Sequence, residues 1–248
     1  MIGIINLEDN RFNYRQKGFT SIINQLIEMC YFHYKKYNDF NIHVSDYRVE
    51  VFFDLPKKNI INEETYVVST NYLEEFFKIG FPDYNAHNVV SESDIQIRNF
   101  IFNNVFKLKE KFKFNSNNYD IGIQIRGTDK KNEITEIPIN NIINKLSEFI
   151  ETNDGISTLF IATDEKKYIT EIKKKFTDKI IIFCEENILS EDGNPIHFID
   201  NKKIIDYQVI RDSYILSNCK NLFYCYSNVS LLSIMIGYNN HSSKFLLN

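Results

Sequence analysis

The residues of this chain best suited to chemistry follow one apolar segment near its middle. Residues 119–125 have the composition of a buried β-strand, and they are followed by Arg126, Thr128, Asp129 and Lys130. A guanidinium binds phosphate oxygens through two parallel hydrogen bonds, and an ammonium adds a point charge. In an open α/β sheet, ligands bind at the carboxyl ends of the strands. The pattern predicts a diphosphate-binding loop, although an ordinary strand followed by a polar turn has the same composition.

Two further groups of polar residues follow predicted strands. The groups are Thr163, Asp164 and Glu165, after residues 158–162, and Ser227 and Asn228, after residues 221–225. Either group could simply cap the helix that follows it. A helix N-terminus also presents free amides to an anion. Ser227 and Asn228 could therefore complete a diphosphate site opposite Arg126, and Asp164 could support the Arg126 loop.

Composition and motifs exclude several other classes of site. The chain has 248 residues, 43% of them hydrophobic and 25% charged, as in a globular protein. Its formal net charge of −4 argues against nucleic acid as a partner. The sequence contains no dinucleotide-binding fingerprint, Walker loop or zinc-protease motif. The five histidines show no ligand spacing, so we expect no metal site.

The sequence also indicates a compartment. No signal peptide is visible, and no window has the twenty or so apolar residues that a membrane span needs. The four cysteines show neither metal-ligand spacing nor a disulfide framework. We therefore expect a cytoplasmic protein without a transmembrane segment, either free or peripheral at the inner face of a membrane.

The elements that must position these residues alternate regularly in the second half of the chain. Strands are predicted over residues 119–125, 158–162, 179–184 and 221–225. Helices are predicted after Pro138, from Thr163, over residues 204–218 and from Asn228 to Gly237. Strands separated by helices indicate a parallel sheet.

The first half is less regular. Strands are predicted over residues 2–7, 41–44 and 48–55, a long helix over 19–37, and mainly helix over 72–113, with a break at residues 80–82. Polar residues around position 115 suggest a boundary. We therefore expect an N-terminal lobe over residues 1–114 and a C-terminal lobe over residues 115–248.

Taken together, these residues resemble the fucosyltransferase superfamily of α1,6-, α1,2- and protein O-fucosyltransferases, most closely its α1,6 and nodulation-type branch. The family strand that ends in His-x-Arg-Arg-x-Asp-Lys corresponds to the run from Gln124 to Lys130. The family Ala-Thr-Asp-Asp segment corresponds to residues 162–165, and a late helix and strand correspond to residues 212–228. A glycine before a long N-terminal helix corresponds to Gly18.

The resemblance implies a GT-B-like α/β fold, with two Rossmann-like lobes, mainly parallel sheets and a cleft between the lobes. Residues 1–114 are then the acceptor-side lobe and residues 115–248 the nucleotide-sugar-binding lobe. It implies GDP-fucose or another GDP-sugar as donor, a glycan or glycolipid as acceptor, and no metal or other cofactor. Arg126 is then expected to bind the β-phosphate and Asp212 the guanine edge. Glu133 takes the position of the general base, with Glu136 as a competitor. The other donor-binding residues implied are Gly18, Gln124, Thr128, Asp129, Lys130, Asp164, Ser227 and Asn228.

Two departures from the family motif leave alternatives open. The family histidine is Gln124, which cannot titrate, and the second arginine is Gly127, whose missing charge Lys130 and Lys131 could partly replace. The leading hypothesis is an inverting, metal-independent transfer of fucose from GDP-fucose to a glycan hydroxyl. One alternative changes the donor to GDP-mannose, GDP-rhamnose or a UDP-sugar. Another is a protein that binds a sugar nucleotide or glycan without catalysis.

Overall fold

The computed structural model of this chain describes residues 3–6, 18–38, 42–56, 92–112, 114, 117–127, 137–191 and 202–247. Contacts between Cα atoms divide the chain into two compact units, Met1–Lys113 and Phe114–Asn248. Within the described ranges, no helix is long and apolar enough to cross a membrane.

The first unit begins with two parallel strands and a long helix between them in the sequence. β1 (Gly3–Asn6) pairs with β2 (Ile42–Ser45), and α1 (Phe19–Tyr37) connects them. The apolar residues of α1 recur at helical spacing, and these are buried: Ile22, Ile23, Leu26, Ile27 and Cys30. Asn38 ends the helix in the left-handed conformation, with φ 51°, and its N–H donates to the carbonyl of Tyr34. The strands and the helix predicted here are confirmed.

The strand predicted over residues 48–55 is confirmed only at residues 53–54 and is wrong over residues 49–52. The chain instead forms a one-turn helix, α2 (Val49–Phe52), and then a two-residue strand, β3 (Phe53–Asp54). The Asp46 carboxylate explains the difference, because its Oδ1 accepts hydrogen bonds from Arg48 N at 3.0 Å and from Val49 N at 2.9 Å. An aspartate that binds free amides in this way starts a helical turn.

The remaining described part of the first unit is a helix, a short strand and a 3₁₀ helix over Glu110–Phe112. α3 (Glu92–Val105) precedes β4 (Lys107–Leu108), which pairs antiparallel with β3. The helix predicted around residues 72–113 is confirmed for α3. The predicted break at residues 80–82 lies outside the described residues.

The elements of the second unit are, in chain order, β5 (Ile121–Ile125), α4 (Ile139–Thr152), β6 (Thr158–Thr163), α5 (Lys166–Lys175), β7 (Ile180–Ile182), α6 (Lys202–Ser217), β8 (Asn221–Tyr224), α7 (Asn228–Ile236) and β9 (Ser243–Leu246). The five strands form a fully parallel sheet in the order β7-β6-β5-β8-β9. The predicted alternation of strands and helices and the parallel sheet are confirmed. β9 was not predicted, because this edge strand is only partly buried and its Ser-Lys-Phe-Leu sequence does not alternate.

The two faces of β5 contact different helices. Three of its residues belong to the core cluster shared with α4 and α5: Ile121, Ile123 and Ile125. Gly122 faces the other way, and a Cβ added to it would lie 2.7 Å from the sulfur of Cys219, just after α6. Side chains alternate along a strand, so Gln124 lies on the same face as Gly122. Helices therefore cover both faces of the sheet at β5.

The strand order reverses between β5 and β8. From β5 the chain moves outward through β6 to β7, and α6 then returns it to β8 on the other side of β5. In open parallel sheets, a ligand-binding crevice lies at the carboxyl ends of the strands where the order reverses. Arg126 directly follows β5 and therefore lies at this reversal.

Asp120 links the opposite, amino-terminal ends of β5 and β6. Its Oδ2 accepts hydrogen bonds from the backbone N–H groups of Ser157 and Thr158, both at 2.9 Å, and from their hydroxyls at 3.1 and 2.8 Å. Partial burial disfavours the ionised carboxylate, but these hydrogen bonds outweigh it and keep the pKa of Asp120 below its usual value. The carboxylate thus stabilises the start of both strands.

Replacing Asp120 with alanine is expected to lower the free energy of unfolding by about 1–2 kcal/mol at neutral pH, since water partly replaces the lost bonds at this half-buried position. The pKa of Asp120 is lower in the folded state than in the unfolded state. The stabilisation by its carboxylate is therefore fully present above the unfolded-state pKa of about 4, and it is lost as the pH falls through the folded-state pKa. Urea denaturation at neutral and acidic pH measures the effect. The matched control is Asp178→Ala, which removes only a surface pair with Lys179. Equal losses in the two variants would contradict the prediction.

Candidate functional site

A pocket opens at the carboxyl ends of β5 and β6, next to α6 and α7. Its empty volume is about 490 Å³, part of it open to solvent. Four of the predicted site residues line it: Gln124, Arg126, Asp164 and Asp212. Apolar side chains, among them Ile205, Val209 and Val229, form much of the remaining wall. The pocket therefore combines apolar walls with a few charged and polar groups, as small-molecule sites do.

The backbone that carries Arg126 is fixed by Asp164. Arg126 is half-buried in the pocket wall, and the next residue, Gly127, donates its N–H to Asp164 Oδ1 at 2.8 Å. Helix α5 begins at Lys166, and its N-cap residue is Glu165. Asp164 therefore supports the Arg126 loop, and this observation favours the supporting interpretation over the capping one.

Asp212 presents an acceptor oxygen inside the protein. Asp212 is 5% exposed, and its Oδ2 accepts a hydrogen bond from Asn187 Nδ2 at 3.0 Å. Oδ1 has no hydrogen-bond partner among the described residues. Burial raises the pKa of the Asp212 carboxyl to about 6, against the opposing effects of the Arg211 guanidinium and the Asn187 amide. The carboxyl is therefore mostly ionised at neutral pH, and Oδ1 can accept an N–H of a ligand.

Gln124 has its amide oxygen engaged by the protein. Oε1 lies within hydrogen-bond distance of Ser230 Oγ at 2.6 Å, Ser227 Oγ at 3.1 Å and Cys225 Sγ at 3.1 Å. Burial raises the pKa of the Cys225 thiol to about 12, so this sulfur keeps its proton. The amide nitrogen of Gln124 is then the side-chain atom left to donate to a ligand. Unlike the family histidine, it donates irrespective of pH.

The amino end of α7 borders the same pocket. Ser227 is its N-cap residue, with Oγ accepting from Ser230 N at 3.0 Å, so the capping interpretation of Ser227 is confirmed. Asn228 is the first helical residue and is half-buried, and the next residue, Val229, lines the pocket. A helix N-terminus carries partial positive charge. It therefore complements Arg126 on the pocket wall.

Gly127 makes room for the buried carboxylate of Glu165, which is 2% exposed. A Cβ added at Gly127 would lie 2.6 Å from both Cδ and Oε1 of Glu165. Oε2 pairs with Lys167 Nζ at 2.5 Å, whereas Oε1 has no hydrogen-bond partner among the described residues. A side chain at position 127, such as the second arginine of the family motif, would therefore require the Glu165 carboxylate to move.

The other predicted site residues are not part of the described pocket. The following lie outside the described residues: Thr128, Asp129, Lys130, Glu133 and the alternative base Glu136. Gly18 is exposed, precedes α1 and belongs to the first unit. In the part of the chain that the structure describes, no group of three or more His, Cys, Asp or Glu side chains is arranged to hold a metal ion.

Three residues around Asp212 were missed by the sequence analysis: Asn187, Gln208 and Arg211. Gln208 and Asp212 are four residues apart on α6, and this spacing, which the sequence shows, places both polar side chains on one helix face. Both residues are buried. Asn187 comes from a loop 25 residues earlier than Asp212. No local pattern indicates that it contacts the helix.

Comparison with known proteins gives matches of structure alone. The sequence matches no protein-family model and no curated protein. A crystal structure of the NodZ α1,6-fucosyltransferase soaked with GDP-fucose superposes with a TM-score of 0.54 and 13% identity, over 95% of this chain and 92% of that one. Selenomethionine NodZ from Bradyrhizobium gives a TM-score of 0.53 and 13% identity, over 95% and 90% of the two chains.

A crystal structure of POFUT1 in complex with GDP also matches, with a TM-score of 0.42 and 10% identity over 64% of this chain. This chain spans about half the length of that protein, 52%. At such identities the likeness concerns the fold, and for NodZ it extends over nearly the whole chain. The resemblance seen in the sequence is confirmed at this level: the chain has a fucosyltransferase-like fold.

Proposed function

We propose that this protein is an inverting glycosyltransferase that moves fucose from GDP-fucose to a hydroxyl of a glycan or glycolipid without a metal ion. The observation that carries the proposal is that Arg126 and Asp212 line the same pocket at the carboxyl ends of β5 and β6. A guanidinium suits a diphosphate, and a carboxylate oxygen that accepts no hydrogen bond from the described residues suits the N–H groups of guanine. The likeness of the fold to NodZ, which was soaked with GDP-fucose, supports the same donor. The two-lobe GT-B arrangement is part of this proposal.

In the proposed reaction the acceptor oxygen attacks C1 of fucose, the bond between C1 and the β-phosphate oxygen breaks, and GDP leaves. Negative charge grows on the diphosphate in the transition state. Arg126 and the amino end of α7 are the fixed positive groups that would stabilise this charge. The acceptor proton passes to a carboxylate, for which Glu133 and Glu136 are the candidates.

One observation favours a second candidate, a protein that binds a sugar nucleotide without transferring the sugar. The buried Glu165 carboxylate occupies the space beside Gly127 where the family motif has a second arginine. The proposed phosphate site therefore has one cation fewer than the family motif, and the acidic side chain of Glu165 packs against the backbone at Gly127. This lowers the positive potential available to stabilise a leaving diphosphate.

Calorimetric titration with GDP, UDP and ADP, with and without magnesium, tests the proposal. Selective GDP binding that does not need magnesium would support it and justify an acceptor screen with GDP-fucose. Preference for UDP would overturn the donor assignment. GDP binding without turnover for any acceptor would favour the second candidate, and binding of none of the three nucleotides would remove the basis of both.

Replacing Asp212 with asparagine is expected to weaken GDP binding by about 10- to 100-fold, because a hydrogen bond to a charged group contributes about 1.5–3 kcal/mol. Asparagine keeps the volume of this buried side chain and removes its charge. Asp206→Asn is the matched control, since Asp206 lies on the same helix and is also 5% exposed but does not line the pocket. Calorimetry on both variants gives the comparison. An unchanged GDP affinity in Asp212→Asn would show that Asp212 does not contact the base.

A further inference from the structure

Residues 184–190, which follow β7, are joined to the site at two places. The side chain of Gln208 on α6 binds both backbone groups of Ile188, with Oε1 2.9 Å from Ile188 N and Nε2 3.2 Å from Ile188 O. At the end of the segment, Ser190 N donates to Asp164 O at 2.8 Å, and Lys166 N donates to Ser190 O at 3.1 Å. The segment is therefore fixed against α6 and against the carboxyl end of β6.

A chain of polar side chains runs from this segment to Asp212. The Arg211 guanidinium donates to the carboxylate of Glu186 and to Oδ1 of Asn187. Arginine has only donors, so the Asn187 atom that faces it must be the oxygen. The other amide atom, Nδ2, must then face Asp212, and it lies 3.0 Å from Oδ2. Arg211 thus sets the orientation of the amide that binds the carboxylate.

The remaining charged and titratable groups around Asp212 come from the adjoining elements. Arg211 Nε lies 3.5 Å from Oδ1, and the Cys184 thiol, whose pKa burial raises to about 12, keeps its proton near the carboxylate. Arg126 and Asp164 line the same pocket, and α7 has no titratable side chain. Burial alone would favour protonated Asp212. Arg211, Asn187 and Cys184 are the groups that oppose this.

We propose that Asn187 and Arg211 are positioning residues for Asp212: Arg211 orients the Asn187 amide, this amide binds Oδ2, and the two residues together keep the carboxylate ionised for an N–H donor of the bound nucleobase. The inference rests on the proposed function for the identity of the ligand as a nucleobase. The state of the carboxyl itself does not depend on that proposal. The two can therefore be tested separately.

The first test uses the chain of 248 residues without ligand. Carboxyl ¹³C NMR follows the titration of Asp212, assigned by its loss in Asp212→Asn, in the wild type and in Asn187→Ala. We expect a midpoint near 6 in the wild type and a rise of about one pH unit in the variant. Gln208→Ala is the control, because it releases the same segment without removing a donor from Asp212. An unshifted midpoint in Asn187→Ala, or an equal shift in the control, would contradict the inference.

The second test measures GDP affinity as a function of pH. The ratio of dissociation constants between variant and wild type at each pH cancels the titration of the nucleotide phosphate. If the Asp212 midpoint is about one pH unit higher in Asn187→Ala, the GDP affinities of variant and wild type should agree within about twofold near pH 8. Near pH 6 the variant should bind GDP about fivefold more weakly. If Asn187→Ala lost GDP affinity by the same factor at every pH, Asn187 would have only a structural role. If the wild type does not bind GDP at all, the proposed function fails, and the NMR titration still decides the positioning role.

Discussion

Replacing Arg126 with alanine is expected to lower the rate of fucosyl transfer from GDP-fucose by about 100- to 1,000-fold, the effect of removing one fixed donor that acts on charge developing in a transition state. Arg126 directly follows β5 and lies in the pocket wall, and its backbone is held through the hydrogen bond from Gly127 to Asp164. The measurement is GDP release from GDP-fucose, with an acceptor found by screening or with water as the acceptor. GDP affinity, measured by calorimetry, is expected to fall as well.

Arg126→Lys is the matched variant for this experiment. Lysine keeps the charge but cannot form the two parallel hydrogen bonds of a guanidinium, so we expect an activity between those of the wild type and the alanine variant. The side chain belongs to the pocket wall and not to the core cluster around β5, so the urea midpoint should change little in either variant. If a folded Arg126→Ala protein transferred fucose at a near-normal rate, Arg126 would have a structural role and no role in catalysis.

The fold of the second unit was predictable because each of its principal elements carries its own signal. β5 is buried at every residue and reads as a short apolar run, and α4 and α5 place their buried residues at helical spacing. The failures have local causes. β9 is a four-residue edge strand, and its Ser-Lys-Phe-Leu sequence neither alternates nor forms an apolar run. In the first unit, Asp46 turned a segment of strand-like composition into helix α2 by binding two of its backbone amides.

The candidate site was predictable only in part, for a different reason. Arg126 and Asp164 follow strands, so the rule for parallel sheets predicts that they lie near each other. Asp212 is in the middle of α6, where only the family resemblance pointed to it. The bond between Asn187 and Asp212 joins a loop to a helix, and such a contact depends on how the chain packs. No propensity or spacing in the sequence encodes it.

The packing of Gly127 against Glu165 is likewise a tertiary feature, and it predicts a large effect on stability. Gly127→Ala is expected to lower the free energy of unfolding by about 1–3 kcal/mol, the usual cost of adding a methyl group where there is no space. The new Cβ would lie 2.6 Å from the Glu165 carboxyl. To make room, that buried carboxyl must move, and its pair with Lys167 must break or shift. Urea denaturation measures the loss.

A double-mutant cycle separates this clash from any intrinsic effect of alanine on the backbone. In Glu165→Ala the space beside Gly127 is empty, so adding Gly127→Ala to that variant should cost less than about 0.5 kcal/mol, and the coupling between the two sites should approach the whole cost of the single change. An equal cost in both backgrounds would show that Glu165 is not what the added methyl group meets. The same geometry predicts that a longer side chain at position 127 is accommodated better when Glu165 is shortened as well. Glycine at 127 and glutamate at 165 are therefore coupled by their packing.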